Sequence, residues 1–214
     1  MFGPDPFWRR GYRLRLAKTR TPQASISVVE IVTERLSLRP FRADDLETFV
    51  TYRSDPEVER YQSWDRRYSM ADAESFLRSQ RAVEFGQPGE WLQLAIVDRE
   101  TGTVCGDCAV LVVTDQPATA EVGVTLAPAN QGKGLATEAL TAVVTELFEQ
   151  RGMHRVFAQA DDRNISVRAL LERLGFRCEA RLVEADWFNG EWSTLRLYAM
   201  LDREWRARPN AERQ

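Results

Sequence analysis

Residues 120–160 read AEVGVTLAPANQGKGLATEALTAVVTELFEQRGMHRVFAQA, and this stretch decides the fold. From Ala120 to Ala127, Glu121, Gly123 and Thr125 alternate with Val122, Val124 and Leu126. A two-residue period marks a strand, and Pro128 stops it. Gly132-Lys133-Gly134 then leads into a helix from Leu135 to about Gln150. Its apolar residues Leu135, Ala136, Ala139, Leu140, Val143, Val144, Leu147 and Phe148 form a broad 3.6-residue stripe. Gly152 closes the helix, and Arg155 to Ala160 reads as a second strand. Such a crossover lays its two strands parallel, with a right-handed connection. Ligands of open α/β sheets sit outside the carboxyl ends of strands, where pairing sense changes. The loop at that place is Ala129 to Ala136.

Working outward, Leu36 and Leu38 mark a first strand near Pro40. Ala43 to Arg53 reads as a helix with Leu46, Phe49, Val50 and Tyr52 on one side. Met70 to Val83 is a second helix, ended by Gly86, Pro88 and Gly89. Trp91 to Asp98 and Thr103 to Val113 are strands with short connections, hence antiparallel neighbours of the strand at 120–127. Ser166 to Leu174 is a helix stopped by Gly175. Phe176 to Ala185 and Trp192 to Met200 form a hairpin around Asn189-Gly190.

The chain has 214 residues, with 43% hydrophobic and 29% charged, an ordinary soluble composition. Its formal net charge of −3 argues against a general nucleic-acid binder. Residues 1–30 differ from the rest: Arg9, Arg10, Arg13, Arg15, Lys18 and Arg20 outweigh Asp5, and no period is sustained. They read as a basic N-terminal extension, either a disordered tail, an upstream-extended start or a targeting segment. Residues 31–205 form the folded domain and 206–214 a C-terminal tail. The longest apolar run, Cys108 to Val113, is far short of the roughly 20 residues a membrane helix needs. Three cysteines and no signal-peptide pattern fit a reducing cytoplasm. Cys105 and Cys108 read as buried reduced thiols, and no metal site is expected.

The chemistry concentrates at Gln131-Gly132-Lys133-Gly134-Leu135-Ala136. Two glycines admit a ligand close to the backbone, and the first-turn amides of a helix favour an anion. A phosphate or pyrophosphate is the natural guest, with Lys133 adding attraction. A dinucleotide fingerprint fails, since it needs Gly or Ala where Thr137 stands. The string required for a P-loop does not occur.

The spelling Q-x-x-G-x-A resembles the acetyl-CoA pyrophosphate loop of the GNAT superfamily of N-acetyltransferases. Thr33-Glu34-Arg35-Leu36-Ser37-Leu38-Arg39-Pro40 resembles the opening strand of the branch that includes ribosomal-protein N-terminal acetyltransferases (RimJ/RimL-like). Glu121-Val122-Gly123 with Leu126-Ala127-Pro128 is similar to its fourth strand. Asn164 through Leu171-Glu172-Arg173-Leu174-Gly175-Phe176 is similar to its second cofactor-contacting segment. The likeness covers roughly residues 31–201 in consistent order. It implies an α/β fold with a mixed, mostly antiparallel sheet of six or seven strands, helices on both faces, and a splayed fourth and fifth strand pair.

The same resemblance implies roles. Backbone groups of Thr125 and Leu126 pair with the pantetheine arm, and a bulge at Gly123 splays the strands. The Leu126 amide faces the thioester oxygen. Amides of Gly132, Gly134, Leu135, Ala136 and Thr137 bind the pyrophosphate, beside Gln131 and Lys133. Asn164 bonds the cofactor arm, caps a helix, or does both. The reaction is direct attack of a primary amine on acetyl-CoA in a ternary complex. Glu121 is the candidate base, against a strand-edge salt bridge as the alternative. Relatives often carry Ser three residues after the Asn; here Val167 stands there, with Ser166 before it as the candidate acid and solvent as the alternative. Tyr61, Trp64, Trp187 and Phe188 border the acceptor pocket, or serve ordinary packing. Expected partners are the amine acceptor alone, with no nucleic acid and no membrane, in a monomer or homodimer. A non-catalytic acyl-CoA sensor is the alternative function, and a nicotinamide oxidoreductase a remote third.

Overall fold

The computed structural model describes residues 29–62, 64, 68–188 and 190–209. The basic extension, apart from its last two residues, and most of the C-terminal tail lie outside them. Eight strands form one sheet: β1 Ile31–Val32, β2 Leu36–Pro40, β3 Trp91–Asp98, β4 Val104–Val112, β5 Thr119–Leu126, β6 Arg155–Asp161, β7 Arg177–Phe188 and β8 Glu191–Leu201. Their order is β1-β2-β3-β4-β5-β6-β8-β7, and β5 with β6 is the parallel pair. The helices are α1 Leu46–Arg53, α2 Pro56–Glu59, α3 Met70–Gln80, α4 Leu135–Thr145, α5 Ile165–Arg173 and α6 Asp202–Arg206. A π turn, Glu146–Gln150, prolongs α4. No helix of the described residues is long and apolar enough to cross a membrane.

The sheet is covered on both faces. Leu92, Leu94 and Ile96 of β3 join Leu140, Val143 and Leu147 of the α4 segment in one core. Ala95 and Val97 of the same strand join Phe49 and Tyr52 of α1 and Ala73 of α3 in a second. A strand buried on both faces loses its polar alternation, which is why β3 reads as nearly continuous apolar sequence. Each fully buried Leu or Phe contributes about 2 kcal/mol. The three cysteines are free, two of them buried.

The structure corrects three sequence expectations. The described residues hold eight strands rather than about six or seven, because the two-residue β1 folds back on β2 (Ile31 opposite Leu38, Val32 opposite Ser37). Two residues carry no detectable period. Helix α3 stops at Gln80 rather than Val83, since the Gln80 side chain leaves the helix to donate to the Trp91 carbonyl (3.0 Å) and accept from the Gln93 amide (2.8 Å). Trp205 of α6, near the end of the expected domain, is buried against Phe148 with centroids 5.9 Å apart. Finally, no bulge sits at Gly123. The β4–β5 register runs unbroken from Gly106–Leu126 to Val112–Ala120, and the register shifts lie elsewhere, at Ile96/Val97 of the β3–β4 pair and at Cys178/Ala180 and Leu182/Asp186 of the β7–β8 pair.

Candidate active site

The site begins where the sheet opens. β5 and β6 share only three rungs, Thr119–Arg155, Ala120–Val156 and Glu121–Phe157. Beyond Glu121, β5 stays on β4 and β6 stays on β8, so a gap widens between them. The Ala127 amide donates to Cys105 O (2.8 Å) and the Val113 amide to Thr119 O (2.9 Å), which puts the odd-numbered residues of β5 in hydrogen-bonded register with β4. The backbone groups of Val122, Val124 and Leu126 therefore face the gap. Thr125 turns its backbone toward Asp107 of β4 and away from the gap. Val124 shares the gap-facing edge with Leu126. Gly106 permits the close β4–β5 approach: a Cβ there would lie 2.1 Å from the Thr125 carbonyl oxygen.

The glycine loop lies past the open end of β5. Gly132 and Gly134 take φ of +73° and +80°, and Gly134 is the N-cap of α4. The first bond of α4 runs from the Glu138 amide to Gly134 O (3.1 Å), which leaves the amides of Leu135, Ala136 and Thr137 without a helical partner. Residues 131–134 are exposed, and the space a Gly132 Cβ would take is open. The Gln131 side chain donates to Leu126 O (3.1 Å), so it ties the loop to the strand end. Arg35 braces the loop from below: it donates to Lys133 O (3.0 Å) and pairs with Glu138 (2.6 Å), which also accepts from Thr33 (2.5 Å). Open space, two glycines, unpaired amides and two nearby cations suit a diphosphate. No local signal marks Arg35 for this brace.

Glu121 stands on the last β5–β6 rung, at the closed end of the gap. It is only 8% exposed and accepts from Gln159 Nε2 of β6 at 3.2 Å. Burial pushes its carboxyl up to about 7, and the Gln159 bond opposes that rise. Four residues along the same sheet face, Asp107 accepts from Tyr52 Oη (2.5 Å) and lies 3.5 Å from Arg53. Burial drives the Asp107 carboxyl up, and Arg53 and Tyr52 hold it down. The Arg53 guanidinium lies 4.0 Å from the Trp64 ring and 4.4 Å from that of Phe49. Trp64 also donates to Arg53 O (3.0 Å), so it serves this buried network. Tyr61 is half-buried with Arg60 5.4 Å from its ring.

Asn164 caps α5, its Oδ1 accepting from the Val167 amide (3.2 Å); its amide group is the part that can donate to a cofactor. Ser166 is exposed in the first turn of the helix. Trp187 and Phe188 are adjacent on β7 and point to opposite faces. Trp187 pairs across the hairpin with Trp192, ring centroids 5.2 Å apart, both about half exposed. Asp161 and Asp162 are clamped by arginines: Asp161 by Arg163 (2.8 Å), Asp162 by Arg181 (2.8 Å) and Arg196 (2.5 Å).

A mixed sheet parted between two parallel strands, with an amide-lined loop at its mouth, defines a coenzyme A-dependent transferase fold. The chain belongs to the Acetyltransferase (GNAT) domain family, which matches residues 35–177. It is 27% identical over 175 residues to an uncharacterized N-acetyltransferase, p20, of Bacillus licheniformis, covering 82% of this chain and 97% of that one. A GNAT-family acetyltransferase from Bacillus anthracis superposes with a TM-score of 0.74 at 23% identity, covering 82% and 100%. Mycobacterium smegmatis RimJ, solved with CoA-disulfide, superposes with a TM-score of 0.72 at 25% identity, covering 83% and 87%. Acetyl-CoA is the co-substrate of this family.

Proposed function

We propose that the protein transfers the acetyl group of acetyl-CoA to a primary amine by direct attack in a ternary complex. Bound acetyl-CoA supplies an activated acyl carbon. Backbone groups of Val124 and Leu126 line the cofactor arm, and the amides of Gly132 and Gly134–Thr137 hold the diphosphate, with Lys133 and Arg35 near. The amide of Asn164 donates to the arm. The amine attacks the carbonyl carbon once its ammonium proton has left for Glu121, directly or through water. The Leu126 amide stabilises charge growing on the carbonyl oxygen, an effect worth ~3 kcal/mol for one placed donor. The carbon–sulfur bond then breaks, the nitrogen gives up its second proton, and that proton reaches the leaving thiolate through Ser166 or solvent.

The observation that carries this reading is the buried carboxyl at the closed end of the gap. A group raised to about 7 is half ionised at neutral pH, which suits a proton acceptor. An amine on an alkyl or peptide stem would be held on the acceptor side by an aromatic such as Tyr61, whereas Trp64 is committed to Arg53, and Trp187 and Phe188, on opposite faces of β7, cannot both face it. The test is CoA thiol release with acetyl-CoA and a panel of peptide N-termini and small amines. Acceptor-dependent release is expected. Gly134→Glu places a carboxylate and a strained N-cap at the anion mouth, and is expected to weaken CoA binding about 100-fold. CoA binding without release for any amine would leave a non-catalytic acyl-CoA binder. Unaltered affinity in Gly134→Glu would remove the loop assignment.

A further inference from the structure

We propose that Gln159 is the positioning residue of this site: its side-chain amide spans the opening β5–β6 gap and holds the Glu121 carboxyl where an incoming amine meets it. The inference rests on the reading of Glu121 as proton acceptor. Glu121 is opposite Phe157 on the last shared rung, and Gln159 is the next residue of β6 on that face. Past that rung no backbone bond joins the strands, so the 3.2 Å bond from Gln159 Nε2 to Glu121 Oε1 is a side-chain rung where the ladder has ended.

The surroundings give Glu121 little other help. From β4 it faces Leu111, with Ala109 and Asp107 further along, and Asp107 is committed to Tyr52 and Arg53 of α1. From β6 come Phe157, Gln159 and Asp161, the last clamped by Arg163. From β8, Leu197 and Ala199 lie opposite Gln159 and Phe157. Burial and the Gln159 bond are the two influences on its titration. An amide is also chemically apt. It donates to the carboxylate, and after a half-turn accepts from the protonated acid, so it stays engaged through the whole proton cycle. A lysine in its place would keep Glu121 ionised, and a leucine would leave it without a partner.

The experiment is a carbon-13 titration of the Glu121 carboxyl together with the pH dependence of kcat/KM. In the unaltered protein the Gln159 side-chain NH2 signals are expected to move with the Glu121 midpoint near 7, which requires no variant to fold. In Gln159→Met the midpoint is expected to rise by about one pH unit. The ascending limb of the rate profile should follow, with a loss of roughly fivefold at neutral pH that is recovered in alkali. A purely structural residue would lower the rate equally at every pH. Gln159 signals indifferent to the Glu121 titration, or an unmoved midpoint in Gln159→Met, overturn the proposal. A midpoint that moves while the rate profile stays put upholds the contact and removes Glu121 as the base.

Discussion

Glu121 is a carboxylic acid in a place built for an apolar side chain, and its proton affinity should be visible in stability as well as in rate. The unfolded chain releases this proton near the ordinary 4.5, whereas the folded protein keeps it to about 7. Between those values the native state binds more protons, so stability falls as pH rises. The whole shift corresponds to about 3 kcal/mol. Glu121→Gln is therefore expected to melt above the parent protein at about pH 8 and close to it at about pH 5. A melting difference independent of pH would show that the carboxyl is not raised. Alternation in the sequence discloses which face Glu121 takes, because side-chain direction is a property of one strand. Gln159 is invisible by the same means. Its meeting with Glu121 depends on the register of β6 against β5, set by the length of α4 and its flanking turns. Thr125 and Val124 show the same limit: which backbone edge meets which neighbour follows from strand order.

At the scale of elements, the long periodic segments are the legible ones. β3, β4, β5, α4 and α5 lie within a few residues of their sequence assignments because each repeats its period several times. β1, α2 and α6 have two, four and five residues, too few to repeat anything. The glycine loop is legible because Gly132 and Gly134 are needed where φ is positive. Gly106 gives no such signal, since its reason lies across the sheet. Its missing Cβ makes room for the Thr125 carbonyl at 2.1 Å and the Leu126 Cα at 2.8 Å, and both are backbone atoms of the strand that lines the gap. Gly106→Ala is expected to cost about 2–3 kcal/mol, read from the denaturant midpoint, and to weaken CoA binding as β5 shifts. A change below about half a kcal/mol would mean that the β4–β5 seam has slack.

Across the whole molecule, the sheet is two panels. One runs β1 to β5, the other comprises β6, β8 and β7, and three rungs join them. The α4 segment spans the join by packing, with Leu140 and Val143 in the same core as Val156 and Ala158 of β6. In hydrogen exchange, the Val124 and Leu126 amides are expected to exchange far faster than those of Val110 or Ala199, and to slow when CoA is added. Equal protection with and without CoA would show that the ligand does not use this edge. A book with so short a spine depends on what is laid between its pages: the protein's resistance to heat and proteolysis then tracks the supply of its own co-substrate.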